Sequence, residues 1–195
     1  MSSADAILVD HTHWFVCDTH FGHTGILDMA MRPYADIGAH DRDLVTKWNT
    51  FVQPTDTVWH LGDFAGEDVP FGDAAAIFKR LKGIKRLIRG NHDGDDICTN
   101  LGWASVDDMR TVVAKGGPKI VLCHYPLREW NGLHSGDVHF HGHTHDRLPS
   151  SRRSWDCGVD HQSFQPMTFD GIKTRMERLP ELNFAGVEVG EGETS

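Results

Sequence analysis

The chain has no long hydrophobic run, no paired cysteines and no surplus of positive charge. No stretch approaches the ~18 apolar residues that a spanning helix needs, which speaks against a membrane protein. The first ten residues carry two acids and no base, so they do not read as a secretory leader. The four cysteines, Cys17, Cys98, Cys123 and Cys157, are scattered without a CxxC pair. That usage suits reduced thiols in a cytoplasmic protein. With 19 Lys and Arg against 28 Asp and Glu, the net charge is -9. Such acidity disfavours a duplex-DNA binder, which is usually basic. A local basic strip runs from Lys79 to Arg89, and its plain reading is a solvated helix and strand edge.

Histidine is abundant where tyrosine is scarce: there are 14 histidines against two tyrosines. They form no contiguous run. They stand beside Asp, Asn and Gly at turn-like positions, and histidine is the commonest protein metal ligand.

At 195 residues the chain suits one domain, expected over 1–180, because hydrophobic cores divide only above roughly 250–300 residues. Short apolar runs alternate with helical spacing. Trp14 to Cys17 reads as a buried strand stopping at Asp18. Leu44, Val45, Trp48, Phe51 and Val52 recur at helical spacing after a capping Asp41, and Pro54 ends the run. Strands are expected at Thr57 to Leu61 and Ile84 to Ile88, with a helix between them from Asp73 to Gly83. Val112-Val113 and Ile120 to Leu122 flank Gly116-Gly117-Pro118 as a hairpin. Further strands are expected at Val138 to Phe140 and Trp155 to Val159, and Met167 to Phe169 leads into a last helix from Asp170. From 181 to 195 the chain has no periodicity and reads as a frayed tail. Strand–helix alternation in the first half favours parallel βαβ units, and the later hairpin favours antiparallel additions. Two packed mixed sheets with outer helices satisfy both.

Five expected strands end in polar residues able to hold a metal: Asp18-Thr19-His20, Gly62-Asp63, Gly90-Asn91-His92-Asp93, His124, and Gly142-His143-Thr144-His145. In open α/β sheets, ligands bind beyond the carboxyl ends of the strands. At least four imidazoles, two carboxylates and an amide would gather there, and those seven groups exceed one tetrahedral site and fit two metals with a shared carboxylate. Nitrogen and oxygen donors without thiolate suit Mn²⁺, Fe or Zn²⁺.

These five motifs, in this order over residues 18 to 145, resemble those of the calcineurin-like metallophosphoesterases. The stretch Asp18-Thr-His-Phe-Gly-His23, with Trp48-Asn49 and His60-Leu-Gly-Asp-Phe64, is similar to a compact bacterial or phage branch. The resemblance implies a four-layer αββα sandwich with two mixed β-sheets flanked by helices. It implies that Asp18, His20, Asp63 and His145 hold one divalent metal, and that Asp63, Asn91, His124 and His143 hold a second. Mn²⁺ is the first expectation. A hydroxide bridging the two would attack phosphorus. His92 would protonate the leaving oxygen or stabilise charge on the phosphoryl oxygens, with Asp93 orienting it. The expected activity is phosphate-ester hydrolysis, diesters over monoesters because no insertion closes the site. Two alternatives stand beside it: a nuclease on short or single-stranded nucleic acid, and a catalytically silent metal-binding scaffold.

Plainer readings accompany the individual residues. Asp18 and Asp63 could be loop caps, Asn91 a left-handed turn residue and His124 a core histidine. His23, three residues after His20, is an expected contact to phosphate or to a ligand's far side. Arg32 is either a phosphate fork or a solvated turn. His141 is an outer support or structural, His60 reads as packing, and His161 as a candidate lining residue. His11, His13, His40, His134 and His139 read as ordinary surface histidines.

Overall fold

The computed structural model describes residues 6–181. All but the first residue of the expected tail lies outside the described residues. The first half runs β1 (Leu8–Val9), β2 (His13–Val16), α1 (Ile26–Met29), α2 (Ile37–Phe51), β3 (Thr57–His60), α3 (Phe71–Arg80), β4 (Ile84–Ile88), α4 (Asp95–Asn100) and β5 (Val106–Asp107). There follow β6 (Met109–Ala114), β7 (Lys119–Cys123), β8 (Val138–His141), β9 (Ser154–Asp156), β10 (Met167–Thr168) and α5 (Phe169–Met176).

Two five-stranded mixed sheets result. One has the order β10-β2-β3-β4-β5, with β2 to β5 parallel and β10 antiparallel on β2. The other has the order β1-β6-β7-β8-β9, its β6–β7 hairpin antiparallel and β7, β8 and β9 parallel. Strand side chains alternate between faces, and the burial follows that period. Phe15, Trp59 and Ile88 face Val112, Ile120, Leu122 and Phe140 across the sandwich. Phe15 and Phe140 meet edge to face at 5.0 Å. Val16 and Val58 point the other way, into Leu44, Val45 and Trp48 of α2 and Ala74 and Phe78 of α3. Phe169, Ile172 and Met176 bring α5 onto the inter-sheet core.

Several boundaries differ from expectation. Helix α2 begins at Ile37, capped by Asp36, whose carboxylate accepts from the Ala39 amide at 2.7 Å. Asp41 is already inside the helix, and its carboxylate takes the Gly22 amide instead. Helix α3 starts at Phe71, directly after Pro70, so Asp73 sits in the first turn, where its charge complements the helix dipole. Strand β9 ends at Asp156: Cys157 gives its amide to the His141 carbonyl, and Gly158 then bridges to Cys17, just past the end of β2.

His40 and His139 are not surface residues; both are fully buried. His139 lies on the face of its sheet that α2 and α3 do not reach. Its Nδ1 donates to the Val121 carbonyl at 2.9 Å, its Nε2 receives the Leu127 amide at 3.0 Å, and Trp130 packs at 5.2 Å. Thus the segment 125–137 covers that face, anchored on a histidine.

Candidate metal centre

All the polar strand ends converge where the parallel strands of both sheets finish. Asp18 and His20 follow β2, Asp63 follows β3, and Asn91 and His92 follow β4. His124 follows β7, and His143 and His145 follow β8. Asp18, His20, Asp63, His143 and His145 all have positive φ, between 47 and 69°. Non-glycine residues seldom adopt this left-handed conformation, and it lets each chain turn off its strand within one residue. Gly142 is needed for a different reason. A Cβ there would run into the Cys17 sulfur and the Asp18 carboxylate.

Donor atoms of Asp18, His20 and His145 lie within 4.8 Å of one another, as do those of Asp63, His124 and His143. Donors of His20, Asp63 and His92 do the same, so Asp63 adjoins both groups. Asp18 accepts the His143 amide at 2.9 Å, tying the ends of the two sheets together.

The protonation pattern suits cations. His124 Nδ1 sits 2.8 Å from the Leu61 carbonyl, so that nitrogen carries the proton and donates it. Its Nε2 then faces Asp63 Oδ2 at 3.4 Å and Asn91 Oδ1 at 3.1 Å. Three electron pairs so disposed call for a cation or a proton among them. Burial opposes a charge on His124, yet Asp63 and Asp18 push its pKa up to about 9: without a metal, a proton fills that role. Burial holds His20 down to about 2, and its buried Nε2 has no hydrogen-bond partner. Burial raises Asp18 to about 7, with Asp156 and Asp63 adding to the rise against His124 and His145. Asp63 stays well below the usual carboxylate range although burial opposes this, because His124 donates to it. Buried neutral imidazoles with free nitrogens, beside carboxylates, are the donor set of a metal site. Cys17 is not part of it. Its thiol donates to the Leu61 carbonyl at 2.9 Å, and burial raises its pKa.

Two expected roles are corrected. Asp93 does not orient His92. Its carboxylate turns back and accepts the amides of Asp63, Phe64 and Gly90 at 2.8 to 2.9 Å, holding two motif loops together. The anionic group nearest the His92 ring is Glu67, 3.5 Å from Nδ1. Arg32 is neither a phosphate fork nor a solvated turn. Its side chain is buried and all five N–H donors are used. Nε and Nη2 clasp Asp160 at 2.8 Å each, Nη2 also reaches the Asp18 carbonyl, and Nη1 reaches the Thr19 carbonyl and His40.

His23 lies beside the cluster, Nδ1 to Nδ1 with His20 at 3.3 Å, on the far side of the expected ligand. His60 packs as expected and meets the Thr19 hydroxyl at 2.9 Å. His141 is buried against the Gly142 carbonyl, outside the cluster. His161 pairs with Asp146 at 2.6 Å.

Sequence reasoning missed Asp160, 2.9 Å from His145 Nδ1, and Asp156, which accepts from the Thr144 hydroxyl at 2.7 Å and so braces the His143–His145 turn. The one signal was their place in Trp155-Asp-Cys-Gly-Val-Asp160.

No family profile matches the chain. It is 27% identical to an uncharacterized protein of Methanocaldococcus jannaschii, over 85% of this chain and 91% of that one. It is 30% identical to the Gene 66 protein of Mycobacterium phage L5, over 75% of this chain and 86% of that one. Among solved structures, a protein of unknown function from Aquifex aeolicus superposes with a TM-score of 0.66 at 22% identity, covering 86% of this chain and 99% of that one. The YfcE phosphoesterase from E. coli gives 0.48 at 19% identity, over 82% of each chain.

Proposed function

We propose that this chain, which belongs to the family of the mycobacteriophage Gene 66 proteins, is a metal-dependent phosphoesterase. The observation that carries the reading is the set of imidazole nitrogens and carboxylates gathered around Asp63, including the buried Nε2 of His20, which has no hydrogen-bond partner. In this reading Asp18, His20, Asp63 and His145 hold one divalent cation, and Asp63, Asn91, His124 and His143 hold a second. Mn²⁺ is the first choice, with Fe or Zn²⁺ as alternatives. Such a pair supplies Lewis acidity and an activated water for in-line displacement at phosphorus.

The chain's own residues do the rest. The Leu61 carbonyl fixes His124 in the tautomer that leaves Nε2 free. His92 stands at the edge of the cluster, its ring 4.9 Å from that of His20. In this reading His92 hands a proton to the leaving oxygen. The 66–71 and 94–97 segments flank His92 with Glu67, Asp95 and Asp96. That acidic flank, with the net charge of -9, supports a small phosphodiester over duplex nucleic acid. The four free cysteines support a reducing, cytoplasmic setting.

The test is metal removal. The EDTA-stripped protein should lose hydrolysis of bis-p-nitrophenyl phosphate and p-nitrophenyl phosphate, and Mn²⁺ should restore it. Turnover by a sample that elemental analysis shows to be metal-free would overturn the reading.

A further inference from the structure

We propose that Arg32 and Asp160 are positioning residues for one of the two cation sites, that of Asp18, His20 and His145, and act selectively on it. The inference rests on the two-metal reading above.

One guanidinium reaches both arms of that site. On the β2 side, Arg32 donates to the carbonyls of Asp18 and Thr19, the loop that carries Asp18 and His20. On the β8 side, its Nε and Nη2 hold Asp160 in a two-point fork, and Asp160 Oδ2 receives the Nδ1 proton of His145 at 2.9 Å. A carboxylate on Nδ1 fixes the tautomer and leaves Nε2 for a metal. The planar fork fixes the carboxylate's plane as well as its place, and a lysine could not do so.

The arrangement continues away from the site. His40 Nε2 accepts from Arg32, its Nδ1 donates to Asp41, and Asp41 accepts the Gly22 amide. Arg32 is thereby engaged at every one of its donors. No donor of Arg32 and no oxygen of Asp160 touches Asp63, Asn91, His124 or His143. His124 depends on the Leu61 carbonyl and Asp63 on His92 and Asp93, and the His143 amide, which reaches the Asp18 carboxylate, is a link from the Arg32-held loop to the second site.

The measurement is Mn²⁺ binding to the stripped full chain by equilibrium dialysis with elemental analysis, together with electron paramagnetic resonance. Wild type should bind two Mn²⁺ and show a spin-coupled pair. Asp160→Asn and Arg32→Met should each weaken one of the two by roughly 10–100-fold and leave the other unchanged. At low Mn²⁺ the variants should then show an uncoupled, single-ion signal. The double variant should lose no more than the worse single variant, because both act through His145 and the Asp18 loop. If Arg32→Met fails to fold, Asp160→Asn decides alone, since it keeps the side chain's shape. Equal weakening of both sites, or of neither, overturns the proposal. Fewer than two Mn²⁺ on the wild type overturns the two-metal reading instead, so the two failures are distinguishable.

Discussion

In the Asp18, His20 and His145 group, the His145 ring owes its orientation to side chains distant in the sequence, whereas in the other group Asp63 and His124 owe theirs to main-chain groups of neighbouring strand ends. In the first group, Asp160 holds His145, Arg32 holds Asp160, and the His23 ring meets His20. In the second, the Leu61 carbonyl holds His124 and the His92 amide holds Asp63. Main-chain partners survive most substitutions at their own positions. Side-chain partners can be removed one at a time. The two halves of the cluster should therefore fail differently, and each experiment below presses on that difference.

The largest effect belongs to the residue that adjoins both halves. Asp63→Asn removes a charge that faces both groups. Near-complete loss of hydrolysis is expected, with at least one metal missing by elemental analysis and circular dichroism unchanged. Two metals and normal turnover would end the division into halves that share Asp63.

His92→Ala should leave metal content alone while the rate falls by roughly 10²–10⁴, the usual size of an acid–base contribution. An alkyl or nucleoside ester should suffer more than a nitrophenyl ester, whose leaving group needs little protonation. If metal content falls in step with rate, His92 is a ligand and belongs to one of the halves. Equal losses for both esters with metals retained would reassign it to charge stabilisation.

Asp93→Ala attacks the main-chain half at a side-chain support. Three buried amides lose their acceptor, at about 1–3 kcal/mol for each unsatisfied group. Urea denaturation of the stripped protein should show a loss of at least ~3 kcal/mol. A loss under ~1 kcal/mol would mean that the loop holds itself.

Acid tests the supports behind the cluster. Burial lowers His60 and His139 to about 3 each, so both are neutral in the folded protein. Unfolded histidine titrates near 6.5. Between pH 6.5 and about 3 the unfolded chain binds more protons, so stability falls as pH falls, by ~1.4 kcal/mol per pH unit for each group. The slope measured on stripped wild type should shrink by about half that sum in His139→Gln. An unchanged slope would remove His139 from the account.

The smallest effect is expected at Thr144→Val. It takes one hydrogen bond from Asp156, costing ~1–2 kcal/mol in thermal denaturation, with little change at Asp63 or His124.

The same contrast explains what was legible in the sequence. The chemistry at strand ends is local: a strand stops, a glycine turns and a donor follows. Asp18, His20, Asp63, Asn91, His124, His143 and His145 could each be picked out, and the structure brings them together. Strands β3 and β4 and the β6–β7 hairpin were readable for a similar reason, since each is a contiguous run of fitting period. Arg32 and Asp160 are 128 residues apart, and no local pattern pairs them. His40 and His139 looked like surface residues because a lone histidine's partners, here a guanidinium and the backbone of an adjacent strand, are not sequence neighbours. Asp93 misled through adjacency: it follows His92, but the turn sends its carboxylate back under Gly90. The two-residue strands β1 and β5 are too short to show a period.

The Arg32–Asp160 pair also orders events in time. A chain emerging from the ribosome exposes Asp18 and His20 long before residue 160 exists to steady them. Contacts over such separations carry the greatest loop-closure cost and tend to form late. The cation cluster is thus a product of completed folding rather than its seed. In the metal-dependent reading, a cation would therefore be captured by a folded molecule.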